Sequence, residues 1–98
     1  MNKQRRKELY GLIKDLRKAS DANDINDCLN TLENLKWEEE MYYNNAPANL
    51  QYSSRYTESE EAIEYMSDAV DLLNDALDRD EFKQYVDKAI DLINSAAM

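Results

Sequence analysis

The chain has 98 residues, is strongly acidic and contains few residues that form turns or reactive sites. Twenty-one acidic residues against twelve basic ones give a net charge of -9, and there is one glycine, one proline, one cysteine and no histidine. This length fits a single domain, residues 1–98. The shortage of glycine and proline excludes a turn-rich β fold and favours an all-α one.

The same composition excludes most catalytic chemistry. Without histidine, neither a Ser-His-Asp triad nor a Cys-His pair can form within one chain, and a typical zinc site is excluded as well. One glycine is too few for a Walker-type phosphate loop. We therefore predict a non-enzymatic protein without cofactor or metal. Catalysis by carboxylates alone and a magnesium site with oxygen ligands are the alternatives that the amino-acid composition does not exclude.

No apolar stretch is long enough for a membrane helix, and neither a signal peptide nor a disulfide framework is present. We expect a cytoplasmic protein with no membrane partner.

Charge is distributed unevenly along the chain. Residues 1–18 have a net charge of +5, and residues 19–98 have a net charge of -14. This asymmetry predicts that a basic first helix docks on the acidic part of its own chain or of a neighbouring copy, with a basic arm for nucleic acid as the alternative. Because the acidic body repels a phosphate backbone, direct DNA binding is not expected.

Apolar residues at helical spacing predict two helices in the first half of the chain. The first stripe, on a helix over about 3–20, consists of Leu9, Leu12, Ile13 and Leu16. A second stripe from Ile25 to Leu35 is half a turn out of phase with it. The short polar side chains of Ser20–Asp24 predict a break, with Asp24 as the N-cap of a second helix that ends near Tyr43. A long face-switching helix is the alternative.

The second half of the chain predicts two more helices. Thr57 and Glu60 have the spacing of a capping box, which predicts the start of the third helix. Its apolar seam consists of Ile63, Met66, Val70, Leu73 and Leu77. After residues 78–81 the phase changes again, and a fourth stripe begins at Phe82. We predict an antiparallel helical hairpin or four-helix bundle, completed by homo-oligomerisation because so short a chain buries only a thin core.

The irregular connection at about 44–57 carries the candidate ligand site. The guanidinium of Arg55, the neighbouring amides and hydroxyls, and the N–H groups at the start of the third helix suit a phosphate or ribose group. Tyrosines beside them offer stacking surfaces for a base. The candidate ligand-binding residues are Tyr43, Asn49, Gln51, Tyr52, Ser53, Ser54, Arg55, Tyr56 and Thr57. In the structural alternative, Tyr42, Tyr52 and Tyr65 cover the end of the bundle, and Arg55 pairs with Glu58 or Glu39.

Two acidic runs are interpreted first as solvated helix faces. They are Glu38–Glu40 and the series Asp68, Asp71, Asp75 and Asp78. An anionic surface that imitates DNA is the alternative interpretation. Cys28 and Met66 fall on apolar stripes and are predicted to be core residues.

About half of the chain resembles small acidic helical proteins encoded by tailed phages and prophages. The resemblance rests on the basic opening Asn2–Glu8 and on a pattern over Glu40–Ala76. That pattern comprises acidic residues before Tyr42 or Tyr43, then Asn44, Pro47, Asn49-Leu50-Gln51, Ser53 or Ser54, Arg55, Ser59-Glu60 and an acidic helix rich in Ala and Ile. The chain departs from such proteins at the Ser20–Asp24 interruption and at Tyr52 and Tyr56. The resemblance implies a viral origin and a helical hairpin, and it transfers no activity.

Two functions follow as hypotheses. In the first, the protein sequesters a small phosphorylated nucleotide, an antiviral immune signal of an infected bacterial host. In the second, it is an acidic interaction protein or DNA mimic that blocks a basic host protein. A virion or assembly component is a third class without a distinguishing sequence mark.

Overall fold

A computed structural model of the chain describes residues 1–45, 54–78 and 82–97. Four α-helices occupy these ranges: α1 (Lys3–Lys18), α2 (Ala22–Asn44), α3 (Ser54–Leu77) and α4 (Phe82–Ala97). The prediction of an all-α fold is confirmed, and the described residues contain no strand. No described helix is long and apolar enough to cross a membrane.

Each helix packs against two others, in the order α1, α2, α3, α4 and back to α1. Arg6 near the start of α1 lies close to Ser95 near the end of α4, and Leu16 near the end of α1 lies close to Val86 near the start of α4. Arg5 near the start of α1 contacts Glu39 near the end of α2, and Tyr43 near the end of α2 contacts Glu60 near the start of α3. Neighbouring helices are therefore antiparallel, as in an up-down-up-down bundle. The bundle is elongated, at 47 × 21 × 18 Å, because its helices run side by side along one axis. Helices α2 and α3 are about two turns longer than α1 and α4.

The break between α1 and α2 is confirmed, but its capping residue differs from the prediction. Asp21, not Asp24, is the N-cap: its Oδ1 accepts a hydrogen bond from the Asp24 N–H at 2.9 Å. Asp24 reaches back one turn, and its Oδ2 accepts from the Ser20 N–H at 3.0 Å. The two side chains therefore form reciprocal hydrogen bonds similar to those of a capping box. From the sequence alone, either aspartate could be the N-cap.

Helix α3 begins at Ser54, so the prediction that Thr57 and Glu60 start it is wrong. Thr57 is the fourth residue of the helix and is exposed. No proline or glycine interrupts residues 54–57, and Tyr56 in the first turn stacks on Tyr42 of α2. This contact gives the extra turn a tertiary partner. The expected connection at 44–57 therefore overlaps both helices, and residues 46–53 lie outside the described part of the chain.

The core is one apolar cluster with contributions from all four helices. The completely buried large apolar side chains are Leu9, Leu16, Ile25, Leu32, Met66, Leu73 and Ile93. Cys28 and Met66 are buried, as predicted. Of the predicted α3 seam, Met66, Val70 and Leu73 are buried, whereas Ile63 and Leu77 are only half-buried. Alanines at seven-residue spacing are buried as well, namely Ala62, Ala69 and Ala76 of α3 with Ala89 and Ala96 of α4. Such small residues let two helix backbones approach closely.

Candidate functional site

Most of the predicted ligand site lies outside the described residues. Asn49, Gln51, Tyr52 and Ser53 fall in the range 46–53. Ser54 and Arg55 begin α3, but their side chains are also outside the described part. The site therefore remains a prediction, and the structure places only three of its side chains, those of Tyr43, Tyr56 and Thr57.

Tyrosines cover the end of the bundle where α2 ends and α3 begins. The rings of Tyr42 and Tyr56 stack with their centroids 5.5 Å apart at an interplanar angle of 29°. The Arg5 guanidinium lies 5.7 Å from the Tyr42 centroid, within the range of a cation–π contact. Tyr43 donates a hydrogen bond from its hydroxyl to Glu60 Oε2 at 3.3 Å. Tyr43 and Tyr56 are thus held by contacts within the chain.

Tyr65 does not cover this end, contrary to the structural alternative. It lies about 14 Å further along α3 than Tyr56, at ~1.5 Å per residue, and 37% of it is exposed. Tyr42 takes the expected covering position, with Tyr56 as its partner.

A buried polar cluster lies beneath the tyrosines. Glu39 is 0% exposed, and its carboxylate accepts a hydrogen bond from Arg5 Nε at 2.7 Å and another from the Ser59 hydroxyl. The α-ammonium group of Met1 lies 3.3 Å from Glu39 Oε1. The cluster joins α1, α2 and α3 at one level of the bundle.

Glu39 corrects the interpretation of Glu38–Glu40 as a solvated run. Glu38 is exposed and Glu40 partly so, but Glu39 continues the core stripe of Leu32 and Leu35 at steps of three and four. Ser59 continues the stripe of Ala62 and Met66 in the same way. A polar residue in register with an apolar stripe is the sequence signal that would have identified both positions.

A row of carboxylates runs along the exposed face of α3. Its members, at steps of three or four residues, are Glu58, Glu61, Glu64, Asp68, Asp71, Asp75 and Asp78. All seven are exposed, and none of them forms an ion pair with a described residue. The row is about 30 Å long at ~1.5 Å per residue. The prediction that the four aspartates are solvated is confirmed.

These carboxylates do not converge on a metal site. Across residues 1–45, 54–78 and 82–97, no group of three or more acidic or thiol side chains is arranged to hold a metal ion.

A groove between α1 and α2 was not identified from the sequence. It consists of two depressions of about 320 and 530 Å³ that share Leu12, Asp15 and Thr31 as lining residues. Gly11 lies in one wall, and Trp37, which is 60% exposed, lies at the opposite edge. Neighbours in sequence do not reveal which helix face a residue occupies, so the sequence alone did not place Trp37 at this groove.

The Cys28 thiol borders this groove. It is 6% exposed, and burial, with a smaller contribution from the carboxylates of Asp15, Asp27 and Asp24, raises its pKa to about 11. The thiol is therefore protonated and unreactive at neutral pH.

Comparison with protein-family models, curated proteins and solved structures found no match to this chain. The phage resemblance accordingly stays a prediction.

Proposed function

We propose that the protein is a non-enzymatic interaction protein whose acidic α3 face binds the basic surface of a partner that itself binds nucleic acid. The observation that carries this proposal is the row of seven exposed carboxylates from Glu58 to Asp78, with no described base paired to it. Such a row gives a uniformly negative strip, which attracts and orients a basic partner.

The length and spacing of the row suit a partner that reads a phosphate backbone. Seven carboxylates over about 30 Å correspond to one charge per ~4–5 Å, which is comparable to the ~3.4 Å axial spacing of phosphates along one DNA strand. A helix also holds these charges in a fixed arrangement, so less ordering is needed when the partner binds. The phage resemblance implies only a viral origin, so we propose a nucleic-acid-binding protein of the bacterial host as the target.

Sequestration of a small phosphorylated nucleotide is the second candidate. It is favoured by the start of α3 at Ser54, because the N–H groups of a first helical turn attract anions. Tyr56 lies in that same turn. However, the nearby described charges on α3 are those of Glu58, Glu60 and Glu61, which repel phosphate. The nucleotide function therefore ranks second.

A charge-matched pair of variants tests the primary proposal. Asp68→Asn/Asp71→Asn removes two charges from the α3 row, and Asp87→Asn/Asp91→Asn removes two from exposed positions on α4. Bacterial proteins captured by the wild-type protein should be released by added duplex DNA, bound poorly by the α3 variant and retained by the α4 variant. Equal capture by both variants, or capture that DNA does not reverse, would contradict the proposal.

The nucleotide alternative has a separate readout. Melting temperatures are measured with cyclic dinucleotides, ADP-ribose derivatives and linear nucleotides, for the wild-type protein and for Arg55→Ala. We expect no shift. A nucleotide that raises the melting temperature of the wild type by several degrees but not that of Arg55→Ala would establish the second candidate instead.

A further inference from the structure

The two acidic residues of the basic helix α1 lie on the same surface. Residues 1–18 contain seven bases and two acids, and the acids are Glu8 and Asp15. Both acids line the groove between α1 and α2, where Lys18 is the one base of the described chain. The other bases of α1 lie outside the groove lining. The groove wall of α1 is therefore acidic although the helix as a whole is basic.

The wall contributed by α2 is acidic as well. Asp24, Asp27 and Glu38 line it, and all five carboxylates of the groove are exposed. None of the five forms an ion pair with a described residue. At ~1.5 Å per residue, the wall from Asp24 to Glu38 is about 20 Å long. The groove thus has an acidic rim on each side.

Between these rims, the groove is apolar at the end where Trp37 lies. Leu12 and Leu35 line it there, and Trp37 is 60% exposed beside them. Gly11 leaves open space in the wall, since a Cβ added to it would meet nothing within 4 Å. Glycine inside a helix costs about 1 kcal/mol relative to alanine, and its φ here is not positive. The absent side chain and the exposed indole both favour close approach by another molecule.

A helix with apolar and basic side chains on one face fits this groove. Grooves between two helices accept an amphipathic third helix, whose apolar side chains pack on the floor. Lysine and arginine side chains beside that apolar stripe are long enough to reach both rims. A helix of about 14 residues spans the 20 Å of the groove.

A second copy of the chain does not offer such a helix. Its basic helix, α1, has its leucines and isoleucine buried in its own core, so no apolar stripe is free beside the bases. None of the other three described helices has a net positive charge. The helix that fits the groove therefore belongs to a different protein.

We propose that the groove between α1 and α2 is a docking site for a basic amphipathic helix of another protein. The apolar side chains of that helix pack against Trp37 and over Gly11. Its basic side chains pair with Glu8 and Asp15 on one rim and with Glu38 on the other. The site uses α1 and α2, so it goes beyond the function proposed for α3 and does not depend on it.

A synthetic peptide is the probe, and the single tryptophan of the chain reports on the site. The peptide has about 18 residues, with leucines at helical spacing, lysines elsewhere and no tryptophan. A control peptide has the same composition in an order that gives no apolar stripe. Binding should shift Trp37 emission to shorter wavelength, and the control peptide should bind at least about tenfold more weakly. Equal binding of both peptides, or no shift up to about 100 µM peptide, would overturn the proposal.

Gly11→Gln separates docking from folding. The new side chain has space in the free protein, and glutamine is a better helix former, so the melting temperature should stay the same or rise. The dissociation constant of the peptide should increase at least about tenfold, because the side chain fills part of the groove. A Gly11→Gln variant that binds the peptide like the wild type would refute docking in the groove.

Two charge-matched variants identify the surface that binds the peptide. Asp15→Asn/Glu38→Gln should weaken binding at least about fivefold, because each rim loses one charge. Asp68→Asn/Asp71→Asn removes the same charge from exposed positions on α3 and should change the dissociation constant less than about twofold. If the α3 variant loses binding to an equal or greater extent, the peptide binds the carboxylate row. The groove proposal then fails, whereas the function proposed for α3 does not.

Light scattering of the protein without peptide tests a second copy as the occupant. Any self-association of the 11.5 kDa chain should be the same for the wild type and for Gly11→Gln. A wild-type dimer that dissociates in Gly11→Gln would identify the second copy as the occupant and would overturn the proposal.

Discussion

Removal of the charge on Glu39 is expected to destabilise the bundle far more than removal of either neighbouring charge. In Glu39→Gln the amide oxygen can still accept the Ser59 hydroxyl hydrogen bond. The Arg5 side chain, which is only 12% exposed, loses the carboxylate that lies 2.7 Å from its Nε. The substitution therefore leaves a largely buried cation without its counter-charge.

The magnitude follows from that burial. Loss of one partner of a buried ion pair costs about 3–5 kcal/mol, because the remaining charge stays desolvated. The long Arg5 side chain has some access to water, which places the expected loss near the lower limit, at about 3 kcal/mol. For a domain of this size such a loss corresponds to a decrease in melting temperature of about 12–24 °C.

The assay is urea and thermal unfolding followed by circular dichroism, with Glu38→Gln and Glu40→Gln as matched controls. Both controls remove one charge from α2 at more exposed positions, so each should change the free energy of unfolding by less than about 0.5 kcal/mol. If Glu39→Gln changes it as little as Glu38→Gln does, the buried ion pair does not stabilise the fold. The triple variant Glu39→Leu/Arg5→Met/Ser59→Ala should recover most of the loss, because the largely buried Arg5 cation is removed together with its counter-charge and is replaced by an apolar side chain.

Three further results are expected. Leu73→Ala should lower the free energy of unfolding by about 2–5 kcal/mol, because Leu73 is completely buried; a loss below 1 kcal/mol in urea titrations would contradict its place in the core. Asp21→Ala should cost about 1 kcal/mol through loss of the N-cap bond to the Asp24 N–H, whereas Asn at position 21 should retain most of that stability. The pKa of Cys28 is raised to about 11 in the folded protein, so the thiol of the unfolded chain deprotonates at lower pH than that of the folded chain. The contribution of the protonated thiol to stability is therefore complete below about pH 9 and is lost as the pH approaches 11. The stability difference between wild type and Cys28→Ser should fall by about 2 kcal/mol from pH 8 to pH 10.5. A difference independent of pH would show that the thiol is not held protonated by the fold.

The helices were largely predictable because their signals are local. The stripe from Leu9 to Leu16 and the stripe that begins at Ile25 differ in phase by half a turn, and a straight helix cannot bury both. The break at Ser20–Asp24 follows from that conflict and from side chains that favour caps. The start of α3 was wrong because the first turn, around Tyr56, is supported by the ring of Tyr42 on another helix. The spacing of residues in the sequence does not indicate that contact between two helices.

The candidate sites, too, were predictable only where their signals are local in the sequence. The carboxylate row of α3 could be anticipated from its composition and spacing, since an acidic helix face with few apolar residues is exposed in almost any packing. The groove with Gly11 and Trp37 could not, because its walls come from two helices whose relative rotation depends on core packing. Glu39 lies between these cases, since its register with Leu32 and Leu35 is local but its counter-charge on Arg5 is not.

By itself, the sequence determined that this chain is helical, acidic, divided near residue 20 and again near residue 80, and more basic in its first helix than elsewhere. Composition, periodicity and capping act within a few residues, so these properties hold whichever way the helices pack. Only the tertiary structure decided that the buried alanines bring α3 and α4 together, that Glu39 joins three helices, and that Gly11 and Trp37 share a surface. Those relations depend on which helix faces are in contact, and this is determined when the apolar faces of four helices pack into one small core.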